Sequence, residues 1–220
     1  MTDSPAIERG AGGPAAPADP TAWPRVYPAL LDALHESTAP GRLVASAAGY
    51  VLASREALPA APEHGIARFG AAWTSAAAGA SGARIGTDPE ALERFGRGLL
   101  GLHCVLLREA LRHTMRWLDG RSAEGSSLLA RQLNQGACAD VAVEIAECEA
   151  MIARLDPAAP DISALISRRL TAAGRDLLDL LGAAGFLGDG PGGDLYLAEL
   201  ARNIYLQQGA ERNDAYADHH

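Results

Sequence analysis

The sequence predicts an all-α protein whose main body is an antiparallel bundle of four helices. Ala and Leu dominate the composition and aromatic residues make up only 5% of the 220 residues, which favours closely packed helices over sheets. Apolar residues recur at helical spacing over several long stretches, and these stretches end at helix-breaking pairs such as Asp119-Gly120 and Asp156-Pro157. Hydrophobic residues account for 48% of the chain, which is enough for most of it to fold.

The N-terminal part is predicted to be a disordered leader over residues 1–20, rich in Gly, Ala and Pro, followed by a helical extension with loops over residues 21–87. Helical spacing predicts a first helix from Trp23 to about Ser37. Pro40 fits the first turn of a second helix, whose apolar positions include Leu43, Val44, Ala47, Tyr50, Val51 and Leu52. Residues 58–87 fit either a short helix with long loops or a remnant hairpin, because no clear strand alternation is present.

The predicted bundle spans residues 88–212, and its first helix has the clearest start. Thr87 or Asp88 is a suitable N-cap, Pro89 stands in the first turn, and the helix should run to about Leu118. The other helices are expected at about 127–155, 161–181 and 194–208. A loop with six glycines, residues 182–193, precedes the last helix, and residues 213–220 form a polar tail.

Charge and composition exclude several functions. The net charge of −8 argues against nucleic acid as a partner, because phosphate binding needs a basic surface. All nineteen basic residues are Arg, which excludes a Schiff-base lysine and a P-loop lysine. No signal pattern or long uncharged apolar run is present, so we expect neither export nor a membrane span. Three cysteines without a C-x-x-C motif are expected to be buried free thiols of a cytoplasmic protein.

Candidate metal ligands are weak in this sequence. Glu144, Glu147 and Cys148 lie at helical spacing, but a di-iron bundle would need Glu-x-x-His pairs, and a solvated helical face explains the carboxylates better. His103 and His113 are expected to be helix-packing residues. The sequence therefore predicts no metal site.

The junction between the first two bundle helices, residues 121–132, is polar and turns at Gly125. The amino end of a helix beside an arginine suits an anion such as a diphosphate. The alternative is a plain helical hairpin in which Arg121 is solvated. Spacing alone leaves both open.

Three motifs in order resemble the C-terminal half of acyl-CoA dehydrogenases, flavoproteins that desaturate acyl thioesters. The family pattern Arg-x-x-Phe-Gly-x-x-Leu-x-x-x-Gln is matched in register by Arg121, Gly125, Leu128 and Gln132, and the likeness continues through Gln135 and Ala139-Asp140. Residues 181–186 are similar to the family loop Gln-x-x-Gly-Gly-x-Gly-Tyr, and Arg202-Asn203 stands where the family has Arg-Asp.

This resemblance implies that Arg121, Gln132, Gly182 and Gly185 contact FAD, the first two reaching the flavin of a neighbouring subunit. The departures from the family pattern are Glu124 in place of Phe, Asp179 in place of Gln, and Ala183 in place of the second Gly. A carboxylate facing a diphosphate is repulsive.

The catalytic base that the resemblance implies is Glu211, by counting from Arg202-Asn203. Matching Gly209 instead puts Gln208 at the base position, and an amide cannot abstract a proton. Some family members draw the base from the first long helix, where Glu93 stands two residues out of register. A fourth reading is that no functional base remains.

In the family, the flavin ring lies between the helical domain and a middle β-domain. Residues 21–87 are too few to supply that sheet. The resemblance therefore implies an oxidoreductase subunit with one side of an FAD and acyl-thioester site, completed by another copy of itself or by a full-length acyl-CoA dehydrogenase. The alternative is a catalytically silent helical binding or scaffold protein without flavin.

Overall fold

Five α-helices and six short strands form the described part of the chain. The computed structural model describes residues 23–78, 84–86, 88–155, 160–186 and 190–206. The helices are α1 (Tyr27–Thr38), α2 (Pro89–Asp119), α3 (Gln132–Ala153), α4 (Pro160–Leu181) and α5 (Gly192–Tyr205). The prediction of a mostly helical protein is confirmed.

Helix α2 is the centre of the fold. It begins as predicted, with Asp88 as the N-cap whose side chain accepts a hydrogen bond from the backbone N–H of Glu90 at 3.2 Å, and with Pro89 in the first turn. Its apolar residues recur around the helix, and α1, α3, α4 and α5 all pack against it. Burial of these faces holds the helices together.

Ion pairs connect the neighbouring helices. Arg108 on α2 pairs with Glu149 on α3, and Arg169 on α4 pairs with Glu144 and Glu147 on α3. Short connections make α3 antiparallel to α2, and α4 antiparallel to α3. Consequently α2 and α4 end, and α3 begins, at the same end of the bundle.

The prediction of a helix that begins at Pro40 is wrong, because this segment forms strands. Strand β1 (Leu43–Val44) pairs in parallel with β4 (Ile85–Gly86), and β2 (Tyr50–Ser54) pairs antiparallel with β3 (Ala71–Ser75). The N-terminal extension is therefore only partly helical. Of the two predictions for residues 58–87, the remnant hairpin is closer to the structure. A 3-10 helix over Gly65–Phe69 lies in the long connection between β2 and β3.

Strand alternation is hidden in β2 because both of its faces are buried. Leu52 packs into the main core beneath the helices, whereas Val51 and Ala53 pack into a second core with Leu58 and Ala72. The strand therefore reads as a continuous apolar run, which fits a helix as well as it fits a buried strand.

Candidate functional site

The junction after α2 is a small β-hairpin. Strands β5 (Ser122–Ala123) and β6 (Ser126–Ser127) pair antiparallel around the turn residues Glu124 and Gly125, whose φ angles are 55° and 83°. The backbone N–H of Leu128 donates to the carbonyl oxygen of Arg121 at 2.7 Å and closes the hairpin. Helix α3 therefore begins at residue 132 and not, as predicted, near residue 127.

Arg121 is exposed at the base of this hairpin. Its guanidinium carbon lies 3.9 Å from the centre of the Trp117 ring, one turn earlier on α2. This cation–π contact favours one orientation of the guanidinium group. The side chain is thus an ordered donor at the end of the bundle.

Gln132 is exposed as the first residue of α3. No side chain caps this end of the helix, so its first N–H groups point outward with the positive end of the helix dipole. The preceding residue, Arg131, forms an ion pair with Glu124 at 3.1 Å. The Glu124 carboxylate at the hairpin turn is therefore paired with an arginine beside the start of α3.

The turn after α4 contains the two glycines of the second motif. Gly182 is exposed and has a φ of 57°, which begins a 3-10 helix over residues 182–186. Gly185 is buried, and a β-carbon there would lie 2.9 Å from Cδ2 of Leu178. Gly192 packs directly against Gly185. A β-carbon on Gly192 would lie 2.4 Å from the carbonyl oxygen of Gly185. Packing therefore explains why residue 185 is a glycine.

The structure brings Arg121, Gln132 and Gly182 to the same end of the bundle and separates them from Glu93. Glu93 is exposed near the start of α2, which has 31 residues and is therefore about 46 Å long. Glu93 and Arg121 of one chain thus lie near opposite ends of the bundle. The candidate base Glu211 and its alternative Gln208 lie outside the described residues.

Arg202, which anchors the third motif, lies on α5 with 9% of its surface exposed. Its Nη2 lies 3.4 Å from Oε1 of Glu199, and Glu199 also pairs with Arg175 on α4 at 3.2 Å. This arrangement joins α4 to α5. Asn203 is exposed beside it.

A groove of about 730 Å³ lies between α2, α4 and α5, and sequence analysis did not find it. Six aliphatic residues line it: Leu106, Leu107, Leu170, Leu178, Leu195 and Ala198. Phe69, Phe186 and Tyr196 line it as aromatic residues. These side chains come from distant segments, so no local sequence pattern marks the groove.

The polar residues of the groove include a buried histidine, three arginines and the carboxylates of Asp179 and Glu199. His103 is buried, its Nε2 lies 3.2 Å from the hydroxyl of Tyr27, and burial lowers the pKa of His103 to about 4. The imidazole is therefore neutral at pH 7. Arg25, Arg68 and Arg175 carry the positive charges, and Arg25 donates to the carbonyl oxygen of Arg68 at 2.7 Å.

The outward face of α3 is unusually apolar for an exposed helix. Leu133 is 87% exposed and Val143 is 57% exposed. Small residues surround them on the exposed face: Gly136, Ala139, Ala142, Ala146, Ala150 and Ala153. An exposed apolar patch of this kind is typical of a surface that contacts another molecule.

No family model matches this sequence, and no curated protein matches it significantly. Among the described residues, no group of three or more His, Cys, Asp or Glu side chains is placed to hold a metal ion. The described helices also include none that combines the length and the apolar character needed to cross a bilayer.

Proposed function

We propose that this chain is an acyl-CoA dehydrogenase-like protein that contributes the helical side of an FAD and acyl-thioester site to an oligomer. The main support is the common location of Arg121, Gln132 and Gly182. All three match the family motifs in register, and all three are exposed at the same end of the bundle.

The residues at this end fit an anionic part of the cofactor. Arg121 offers a forked donor pair beside the Trp117 ring, and the uncapped start of α3 offers N–H groups beside the Gln132 amide. These groups would bind and orient one phosphate of the flavin diphosphate. The exposed carboxylate of Asp179, near the Gly182 turn, disfavours a second phosphate there. FAD itself supplies the hydride acceptor.

An oligomer is part of the proposal because one chain presents only part of a site. The length of α2 keeps Glu93 far from Arg121, so a base on α2 and this arginine could serve one flavin only if they came from two chains. The exposed apolar face of α3 offers a surface for the second chain. The second chain is a copy of this one or a full-length acyl-CoA dehydrogenase.

Flavin retention tests this proposal. The chain as a monomer should be colourless or carry little FAD, whereas the complex with a second copy or with a co-expressed full-length partner should show flavin absorption bands. Arg121→Ala should lower the FAD content of that complex because the diphosphate loses a charged donor. Arg97→Ala, on an exposed part of α2, is the matched control. Full FAD occupancy of a monomeric chain, or unchanged retention in Arg121→Ala, would contradict the proposal.

A catalytically silent helical binding protein is the second candidate. It is favoured by the Glu124–Arg131 ion pair at the position of the family's Phe, and by the packing that already explains Gly185. This candidate expects no flavin with any partner, and a ligand-binding function elsewhere on the bundle.

A further inference from the structure

We propose that the groove between α2, α4 and α5 binds an unbranched aliphatic amphiphile with one anionic head group. The tail would lie along the leucine wall and the head would face Arg25 and Arg68. This site does not involve Arg121 or Gln132, so a test of this site does not depend on the flavin proposal.

The size and lining of the groove suit an aliphatic tail. Its volume of about 730 Å³ falls within the range of roughly 300–1,000 Å³ that is usual for small-molecule sites. Five leucines from three helices line the groove, and a β-carbon at Gly174 on α4 would lie in contact with both Leu107 and Leu195. Transfer of methylene groups from water to such a wall is favourable.

The charges are unevenly distributed along the groove, and this determines where the head group binds. The guanidinium carbons of Arg25 and Arg68 lie 5.5 Å and 4.6 Å from the centre of the Phe69 ring. Two positive charges therefore meet at one aromatic side chain. Arg175 of the groove forms an ion pair with Glu199 at 3.2 Å.

Two further polar residues of the wall, His103 and Thr171, are uncharged. His103 is neutral and bonded to Tyr27, and the hydroxyl of Thr171 donates to the carbonyl oxygen of Ser167 at 3.0 Å. Asp179 is the remaining acidic group of the lining and disfavours a second anion. The arrangement thus fits a ligand that is anionic at one end and apolar along its length.

Calorimetric titration of the purified chain with decanoate, decyl phosphate and decanol tests the apolar part. Gly174→Leu fills the groove and should weaken binding of all three ligands at least about tenfold, a change of about 1.4 kcal/mol. Gly174→Ala adds one methyl group at ordinary contact distance from Leu107 and Leu195, so it should fold and bind nearly as the wild type does. Equal binding by the wild type and a folded Gly174→Leu variant would overturn the proposal.

The charged part is tested by Arg68→Gln, with Arg97→Gln as a control that changes net charge equally outside the groove. Arg68→Gln should weaken decanoate and decyl phosphate about tenfold and leave decanol unchanged. The tighter of the two anions identifies the head group as a carboxylate or a phosphate. If the wild type binds decanol as tightly as both anions, or if both variants act alike, the assignment of the head group is refuted.

Discussion

His35 and Tyr205 hydrogen-bond to the same two strand residues, Val44 and Leu52. The backbone N–H of Val44 donates to Nδ1 of His35 at 3.0 Å, and Nε2 of His35 donates to the carbonyl oxygen of Leu52 at 2.9 Å. The N–H of Leu52 donates to the Tyr205 hydroxyl at 3.0 Å, and that hydroxyl donates to the carbonyl oxygen of Val44 at 3.2 Å. The His35 and Tyr205 side chains thus provide hydrogen-bond partners for the N–H and carbonyl groups of both Val44 and Leu52.

These contacts replace the bonds of an ordinary hairpin. The N–H of Ser46 donates to the carbonyl oxygen of Tyr50 at 2.8 Å, which sets Val44 opposite Leu52 as β1 and β2 separate. A regular hairpin would join Val44 and Leu52 directly. Here an imidazole from α1 and a phenol from α5 stand between the strands and attach them to the helices.

We expect Tyr205→Phe to lower the free energy of unfolding by about 1–3 kcal/mol, because it leaves two buried backbone groups without partners. Urea denaturation measures this change. The control is Tyr50→Phe, which removes the hydroxyl of a residue that is 40% exposed and should change stability by less than about 0.5 kcal/mol. Equal losses in the two variants would show that the Tyr205 hydroxyl is not structural.

The protein is expected to lose stability as the pH falls below about 6.5, the usual pKa of histidine. Burial lowers the pKa of His35, His103 and His113, that of His103 to about 4, so the unfolded chain binds more protons than the folded chain between these values. His103 alone contributes a slope of up to about 1.4 kcal/mol per pH unit. This contribution is fully present above the unfolded pKa and is lost as the pH falls through the folded one.

Urea unfolding at pH 7.5 and pH 5 measures this dependence. The His103→Gln variant should show a shallower dependence than the wild type, although it is less stable at neutral pH. The same free energy of unfolding at both pH values would contradict the proton linkage.

Local signals were sufficient to predict the long helices. Asp88 and Pro89 mark the start of α2 and Gly120 follows its end, so both boundaries depend on residues that are adjacent in sequence. The helix predicted at Pro40 failed for a tertiary reason. Whether Val51 and Leu52 belong to a strand depends on two separate cores that exist only in the folded chain.

The candidate sites also differ in whether local sequence signals could predict them. The positions of Arg121 and Gln132 at one end of the bundle follow from the predicted helix order and the short connection between α2 and α3. The groove could not be predicted, because Arg68 and Phe69 belong to a segment without a clear periodicity and meet α5 only after folding. The bonds of His35 to β1 and β2 likewise depend on strands that the sequence did not reveal.

Glu124→Asn should stabilise the protein by about 0.5–1 kcal/mol, because Asn tolerates a positive φ better than Glu does. Glu124 has a φ of 55° at the first turn position of the β5–β6 hairpin. The exposed ion pair with Arg131 is lost, but such pairs contribute little. Thermal unfolding measures the gain.

Gly125→Ala is the matching variant in the same turn and should have the opposite sign. Residue 125 has a φ of 83°, which is strained for alanine. We therefore expect the free energy of unfolding to fall by about 1 kcal/mol. A destabilised Glu124→Asn variant would mean that the Arg131 ion pair outweighs the backbone strain.

Asp194 joins the start of α5 to the start of α1, and its removal should be among the most damaging single changes. The side chain is 1% exposed, and its Oδ2 accepts hydrogen bonds from Nε1 of Trp23 at 2.9 Å and from the backbone N–H of Val26 at 3.0 Å. Asp194→Ala should lower the free energy of unfolding by about 2–3 kcal/mol, because the buried indole N–H of Trp23 and the half-buried N–H of Val26 lose their acceptor. Asp194→Asn keeps an oxygen acceptor and should cost less.

Asp176→Ala, at an exposed position of α4, is the control and should change stability by less than about 0.5 kcal/mol. Tryptophan fluorescence separates a local effect from a global one when Trp23 is the only tryptophan, with Trp73 and Trp117 replaced by Phe. In that background the native emission of Trp23 should shift in Asp194→Ala even without denaturant, since its indole N–H has lost its acceptor. An unshifted emission combined with wild-type stability would mean that the Trp23–Asp194 bond does not hold the two helices together.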